Sequence, residues 1–221
     1  MILLALQTYF PMTKSLFEVG CGAGFVLAGI REAATGIRLA GSEIFRDGLI
    51  FARDRLPNVK IYQMDARQIP FDREFDVVGA LDVLERIADN ELVLSEMFKA
   101  TRPGGGILLT VPQHQFLWSE LDPHSMHQRR YSRAELRGKV EGAGFRVERI
   151  TSFVSLLLPV MILSRRRRMD RDLWAEFQTN RSLNALFEKA LAAERALIRS
   201  GLSFPVGGSL LLVARKPASS S

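Results

Sequence analysis

Leu16-Phe17-Glu18-Val19-Gly20-Cys21-Gly22-Ala23-Gly24-Phe25-Val26 is an apolar strand that runs into three glycines spaced two apart and then into an apolar helix. Glycines at 20, 22 and 24 let the backbone turn sharply at a strand's carboxyl end and approach a bound molecule where a Cβ would collide. Glu18, just ahead of the turn, repels a dinucleotide pyrophosphate and attracts an ammonium group. A glycine-rich strand-to-helix turn is a weak motif alone, shared with plain packing turns and NAD-binding folds.

Beyond the turn the chain alternates strand and helix. Phe25 to Ala34 predicts a helix, and Ile37 to Glu43 a second strand ending in an acid. Glu43 thus falls about twenty residues past the turn, where a carboxylate takes the two hydroxyls of a ribose. A helix over Asp47 to Leu56 stops at Pro57; a third strand, Val59 to Met64, leads to Asp65-Ala66, and a fourth, Phe75 to Ala80, leads to Leu81-Asp82. Each strand delivers a polar residue at its carboxyl end, the edge at which open parallel sheets bind ligands. Helix Asn90 to Thr101, the loop Arg102-Pro103-Gly104-Gly105-Gly106 and a strongly apolar fifth strand, Ile107 to Val111, continue the βαβ pattern.

Beyond Pro112 a polar, aromatic loop over 113–131 holds all three histidines. Ser132-Arg133-Ala134-Glu135 is a capping box that opens a helix to Glu141, closed by Gly142-Ala143-Gly144 before a sixth strand, Phe145 to Thr151. Helical periodicity over 155–200, with Leu183, Leu186, Phe187, Ala190, Leu191, Glu194, Leu197 and Ile198 on one face, predicts an inserted helical cap. A last strand, Ser209 to Arg215, pairs antiparallel with the sixth. The expected organisation is a single domain over 1–215, with 113–131 as a substrate-side loop, 155–200 as the cap and 216–221 as a disordered tail.

Composition agrees with one globular domain: 221 residues, 47% hydrophobic and 24% charged. The single cysteine, Cys21, excludes an intramolecular disulfide and any cysteine metal cluster, so no metal site is expected. The opening Met1 to Leu6 is a poor export signal and reads as a short helix against the sheet, giving a cytoplasmic expectation. The net charge of +6 concentrates in Arg165 to Arg168, Arg171 and a group at Arg129, Arg130, Arg133 and Arg137. A solvated face ranks first for these arginines. Peripheral contact of 156–168 with an anionic membrane, or with an acidic acceptor, ranks second; nucleic acid ranks last and is not expected.

Glu18 to Gly24, Glu43, Asp65-Ala66, Asp76 to Arg86, Arg102 to Gly105 and Gly142 to Phe145 resemble, in order and spacing, the class I S-adenosylmethionine-dependent methyltransferases of bacterial small-molecule type. The resemblance covers about two thirds of the chain and implies a Rossmann-like doubly wound α/β sheet of seven strands, order 3-2-1-4-5-7-6, strand seven antiparallel. It implies S-adenosylmethionine as cofactor and S-adenosylhomocysteine as product. It assigns Gly20, Gly22 and Gly24 to the methionine and ribose side, Glu18 to the amino group, Glu43 to the ribose, Asp65 and Ala66 to the adenine, and the Leu81 carbonyl to the methionine ammonium, with Cys21, Ile44 and Asp82 also among the cofactor-binding residues. One position departs: the residue after Glu85, commonly histidine in the family, is Arg86, which stays protonated and is no base.

The activity implied is methyl transfer to an oxygen or nitrogen of a small-molecule or lipid-like acceptor. Where a base is needed, His127 is the first candidate, kept neutral by Arg129 and Arg130, and Tyr131 stands beside it. His114, Trp118, Arg129 and Arg130 are acceptor-binding candidates. Packing readings stay open at each: His127 tying the loop down, Asp122 pairing with Arg129 or Arg130, Trp118 and Tyr131 filling core or lid. Two other functions remain, a catalytically silent S-adenosylmethionine-binding or membrane-surface partner, and an NAD-dependent oxidoreductase, which the GxGxG spacing and Glu18 disfavour.

Overall fold

The computed structural model describes residues 1–166 and 181–218. Seven strands form one sheet: β1 (Ser15–Val19), β2 (Arg38–Glu43), β3 (Lys60–Gln63), β4 (Phe75–Leu81), β5 (Thr101–Pro112), β6 (Arg146–Phe153) and β7 (Ser209–Arg215). Their order is β3-β2-β1-β4-β5-β7-β6. β1 to β5 run parallel, and β7 enters antiparallel between β5 and β6, as the resemblance implies. The sheet is doubly wound because alternate side chains feed two cores. Phe17, Val78, Leu109 and Leu212 join the core beneath α4 (Asn90–Ala100) and α6 (Arg133–Gly142), while Leu16, Val77, Leu108 and Leu211 join the core beneath α1 (Ile2–Tyr9), α2 (Phe25–Ala33) and α3 (Arg46–Arg55).

The opening residues form the short helix α1 expected of them, with Ala5 and Leu6 buried against the sheet. Ser132 caps α6 by accepting the Glu135 amide at 3.1 Å, the bond the capping box predicts. A short helix α5 (Leu121–His124) lies in the 113–131 loop.

Two expectations need correction. Arg102 to Gly106, read as a loop, belongs to β5. Phe75 pairs with Thr101 and the register then jumps to Val77 opposite Gly106, so the residues between bulge outward. Asp76 organises this corner: it accepts the Lys14 and Ser15 amides at 2.9 Å and the Arg102 guanidinium at 3.0 Å. Burial opposes its charge, but these bonds outweigh burial and hold its pKa below the usual carboxylate value.

Lys216, expected in the tail, is held by the domain. Lys216 is buried; its amide donates to the Gly105 carbonyl at 2.9 Å and its Nζ to the Phe98 and Thr101 carbonyls at 2.6 and 2.9 Å. A cation here closes orphan carbonyls at the end of α4, which stabilises a helix C-terminus. The tail residues 219–221 lie outside the described residues.

The segment expected as a cap contains, among the described residues, α7 (Leu158–Arg166) and α8 (Arg181–Arg199). Its periodic face is only partly covered. Ile198 and Glu194 are buried, whereas Leu186 and Leu197 remain exposed. Glu194 is on that face for a polar reason: its carboxylate accepts the Ser155 and Leu156 amides at 2.7 and 2.9 Å just ahead of α7. Arg167, Arg168 and Arg171 lie outside the described residues.

Candidate functional site

The glycine turn joins β1 to α2 at the carboxyl edge of the sheet. The Cys21 amide donates to the Ser42 carbonyl of β2 at 2.7 Å, and the Gly24 amide closes the turn on the Cys21 carbonyl at 2.9 Å. Gly20 and Gly22 both have positive φ, 64° and 53°. A Cβ at Gly20 would lie 2.7 Å from Val83, whereas one at Gly22 would meet nothing within 4 Å. The first glycine therefore serves close packing and the second borders open space. Arg55 of α3 clamps the turn from outside, donating to the Ala23 carbonyl with its guanidinium 3.6 Å from the centre of the Phe25 ring. Cys21 is buried, and burial first, then the charges of Glu18 and Glu43, push its thiol up to about 12, so it is an inert small filler.

Two carboxyl groups border this turn in different states. Glu43, at the end of β2, accepts the Gly22 amide at 2.9 Å and the Phe45 amide at 2.8 Å, one on each oxygen. Glu18 of β1 is 3% exposed and its Oε2 has no hydrogen-bond partner. Burial pushes Glu18 up to about 8, against an opposing bond from the Leu27 backbone. An unpartnered buried carboxyl is costly to ionise until a cation or donor arrives.

At the next strand ends, Asp65 is forked by Arg67, with Nη2 to Oδ2 at 2.6 Å and Nε to both oxygens at 3.1 Å. Those bonds hold the Asp65 carboxyl below its ordinary value. Ala66 is half-buried and Ile44 is exposed, its carbonyl taking the Gln63 side-chain amide at 3.2 Å. Leu81 ends β4. Asp82 has φ +55° and is held to β5 twice, amide to Thr110 carbonyl at 2.9 Å and Oδ1 to Thr110 Oγ1 at 3.1 Å.

The 113–131 loop is built on Asp122. This buried carboxylate accepts Arg130 through both oxygens, Nε at 2.8 Å and Nη2 at 3.0 Å, together with the Ser119 amide at 2.8 Å and His127 Nδ1 at 3.0 Å. Burial opposes its ionisation, but Arg130, His127 and the Ser119 amide outweigh it and keep its pKa low. An ionised carboxylate only accepts, so His127 donates through Nδ1 and carries its lone pair on Nε2 in the neutral ring. Arg130 thus pairs with Asp122, as one of the packing readings had it, and Arg129 donates to the Ala88 carbonyl at 3.2 Å.

Tyr131 is fully buried in the core, its hydroxyl donating to the Leu84 carbonyl at 3.2 Å. It fills the core, one of the two readings its sequence position allows. His114 stacks on Phe116 with ring centroids 4.9 Å apart, and burial, then the Arg130 charge, lowers its pKa. Trp118 is half-buried in the same loop.

One group that the sequence does not single out is Glu85. It is fully buried, neither carboxyl oxygen has a hydrogen-bond partner, and Oε1 lies 3.6 Å from His127 Nε2 and 3.6 Å from Arg86 Nε. Burial pushes it up to about 8. Its only signal is an acid directly after Val83-Leu84, where helical winding turns it inward with its apolar neighbours. The 3₁₀ turn Leu84–Arg86 does so.

The arrangement places a glycine turn, a buried acid with one unpartnered oxygen (Glu18) and a second buried acid (Glu43) at one sheet edge, with a histidine–carboxylate network in the 113–131 loop. The methyltransferase-domain family matches residues 2–150. A probable S-adenosylmethionine-dependent methyltransferase of Mycolicibacterium smegmatis is 31% identical over 138 residues, 61% of this chain and 53% of that protein. The chain spans about half, or less, of the curated relatives it matches. Among solved structures, the methyltransferase bound to the Haloferax volcanii Trm112 activator superposes with a TM-score of 0.64 at 23% identity, covering 92% of this chain and 83% of that one. Haemonchus contortus phosphoethanolamine N-methyltransferase 2 with S-adenosyl-L-methionine gives 0.64 at 20% identity, covering 97% and 52%. At those identities the structures attest the fold alone.

Proposed function

Since this chain belongs to the methyltransferase-domain family, we propose that it is an S-adenosylmethionine-dependent methyltransferase and that it methylates an oxygen or nitrogen of a small-molecule or lipid-like acceptor seated between the 113–131 loop and the helical cap. The observation that carries the cofactor side is Glu18, a buried carboxyl with a free oxygen in the strand that feeds a glycine whose missing Cβ borders open space. These features fit an amino-acid-bearing nucleoside. Glu18 takes the ammonium with Leu81 and Asp82; Glu43 and Ile44 take the ribose; Asp65 and Ala66 take the adenine; Gly20, Cys21, Gly22 and Gly24 form the wall between.

When bound, the cofactor would supply an electrophilic methyl on a sulfonium, for the acceptor lone pair to take as the sulfur keeps the pair of the broken bond. The chain's task is to align acceptor and methyl in a site closed to water and to receive the acceptor's proton where one is lost. His127, with its Nε2 lone pair, is the group in the loop suited to that proton, and His114, Trp118, Arg129 and Arg130 line or support the acceptor side. Tyr131, buried and bonded to Leu84, supports the loop rather than the chemistry.

Calorimetric titration with S-adenosylmethionine, S-adenosylhomocysteine and NAD tests the cofactor assignment; NAD binding without adenosylmethionine binding overturns it. Release of S-adenosylhomocysteine with a panel of hydroxy, amino and carboxylate acceptors, including fatty acids, tests the acceptor class. Leu156, Val160 and Leu163 are exposed at α7 and its entry, close in sequence to Arg165. They favour peripheral contact with an anionic membrane, and absence of sedimentation with anionic liposomes removes that idea. No helix among the described residues is long and apolar enough to cross a membrane.

A further inference from the structure

His127 is gripped on one edge and merely faced on the other. Nδ1 donates to Asp122 at 3.0 Å, while Nε2 looks at Glu85 Oε1 from 3.6 Å, just beyond hydrogen-bond length. The ring is 15% exposed, the Asp122 carboxyl 1% and the Glu85 carboxyl 0%. Glu85 has no hydrogen-bond partner for either oxygen. A carboxyl so placed must either hold its proton or find a partner, and His127 Nε2 faces it from 3.6 Å.

We infer that Glu85 and His127 act as one proton-holding pair, with Glu85 as a positioning residue that shares a proton with His127 and Asp122 fixing its tautomer. The inference rests on the proposed methyl transfer for its use. When the acceptor's O–H or N–H electrons stay on the acceptor atom, its proton adds to the pair. Neutral imidazole becomes imidazolium between the Asp122 carboxylate and Glu85, and the proton leaves to water past the partly exposed ring. The groups facing Glu85 are consistent with this. Burial raises its pKa most; its own backbone amide and Arg86, 3.6 Å away, lower it without outweighing burial, and Asp82 raises it further; Tyr131 is occupied with the Leu84 carbonyl. Around His127 the charge on the other edge is Asp122, already half-neutralised by Arg130. Coupled sites titrate as a pair, not as two independent groups.

The test needs no acceptor. In wild-type protein labelled with ¹⁵N-histidine and ¹³C-glutamate, the His127 ring nitrogens and the Glu85 carboxyl are followed by NMR from about pH 5 to 9. Expected are two titration steps seen at both residues, with Nδ1 protonated throughout; in Glu85→Gln, His127 titrates in one step. Independent single steps at the two residues in the wild type overturn the inference, and that measurement decides even if Glu85→Gln fails to fold. Calorimetry with S-adenosylmethionine on the same wild-type sample keeps the two claims apart. Binding without coupled titration sinks only the pair, and coupled titration without binding sinks the proposed function alone.

Discussion

The Gly22 amide donates to Glu43 Oε2 at 2.9 Å, joining the glycine turn to the end of β2 through one carboxylate whose other oxygen holds the Phe45 amide at 2.8 Å. Each bond is to a charged acceptor, the class worth about 1.5–3 kcal/mol. Glu43→Ala is expected to cost about 2–4 kcal/mol of stability, read by urea unfolding, and to weaken S-adenosylmethionine binding more than about tenfold. Glu43→Gln, which keeps one accepting oxygen, falls between. Unchanged affinity in Glu43→Ala removes Glu43 from the cofactor site.

Glu18 predicts a proton on the move. Its folded pKa is raised from 4.5 to about 8, so the folded protein without cofactor holds a proton there that the unfolded chain has lost. The associated stability is fully present below pH 4.5 and is lost as pH rises to about 8; Glu85, raised over the same window, adds in the same sense. The melting temperature of the cofactor-free protein should therefore fall across that window, less steeply in Glu18→Gln. Binding an ammonium beside Glu18 favours its ionised form, so calorimetry near pH 7 in buffers of different ionisation heat should register proton release. No release, with tight binding, separates Glu18 from the amino group.

Tyr131→Phe separates packing from chemistry. Loss of the hydroxyl's bond to the Leu84 carbonyl is expected to cost about 0.5–1.5 kcal/mol and to leave turnover per folded molecule unchanged. A large fall in turnover at unchanged stability would place the phenol in the reaction.

Arg130 and Asp122 form a buried ion pair in which neither charge has water to fall back on. Arg130→Ala leaves Asp122 uncompensated and is expected to destabilise by about 3–5 kcal/mol. Arg130→Met with Asp122→Leu together should recover much of that loss while freeing His127 from its fixed tautomer. If the single change costs under about 1 kcal/mol, solvent reaches the pair and the loop is looser than its bonds imply.

The sheet was legible because its signals are local and repeated. Period-two apolar runs, the glycine turn and a polar residue at each strand end fixed strand order through the family resemblance, and the structure returned that order. The features that failed to show depended on contacts across the chain. Arg102 to Gly106 read as a loop because glycines break strands, yet Asp76 and Thr101 hold that segment on β4. Lys216 read as tail because its partners, the carbonyls of Phe98 and Thr101, lie more than a hundred residues earlier. The loop histidine was visible, but its partners were not: Asp122 was one of several acids within reach, and Glu85 sat unnoticed beside the more conspicuous Arg86.

The antiparallel strand β7 is the last strand of the sheet to leave the ribosome, yet it lies inside the sheet, bonded to β5 on one side and β6 on the other. Until it emerges, β5 and β6 each present an open row of amides and carbonyls, and among the described residues β6 is bridged only by Phe204 at Ser152. Synthesis therefore passes through a stage in which most of the domain is ready while its growing edge is sticky, a template for pairing between chains. A nonsense mutation or proteolytic nick ahead of Ser209 would yield an aggregating fragment rather than a smaller enzyme, and a peptide of the β7 sequence would be the natural reagent to rescue it.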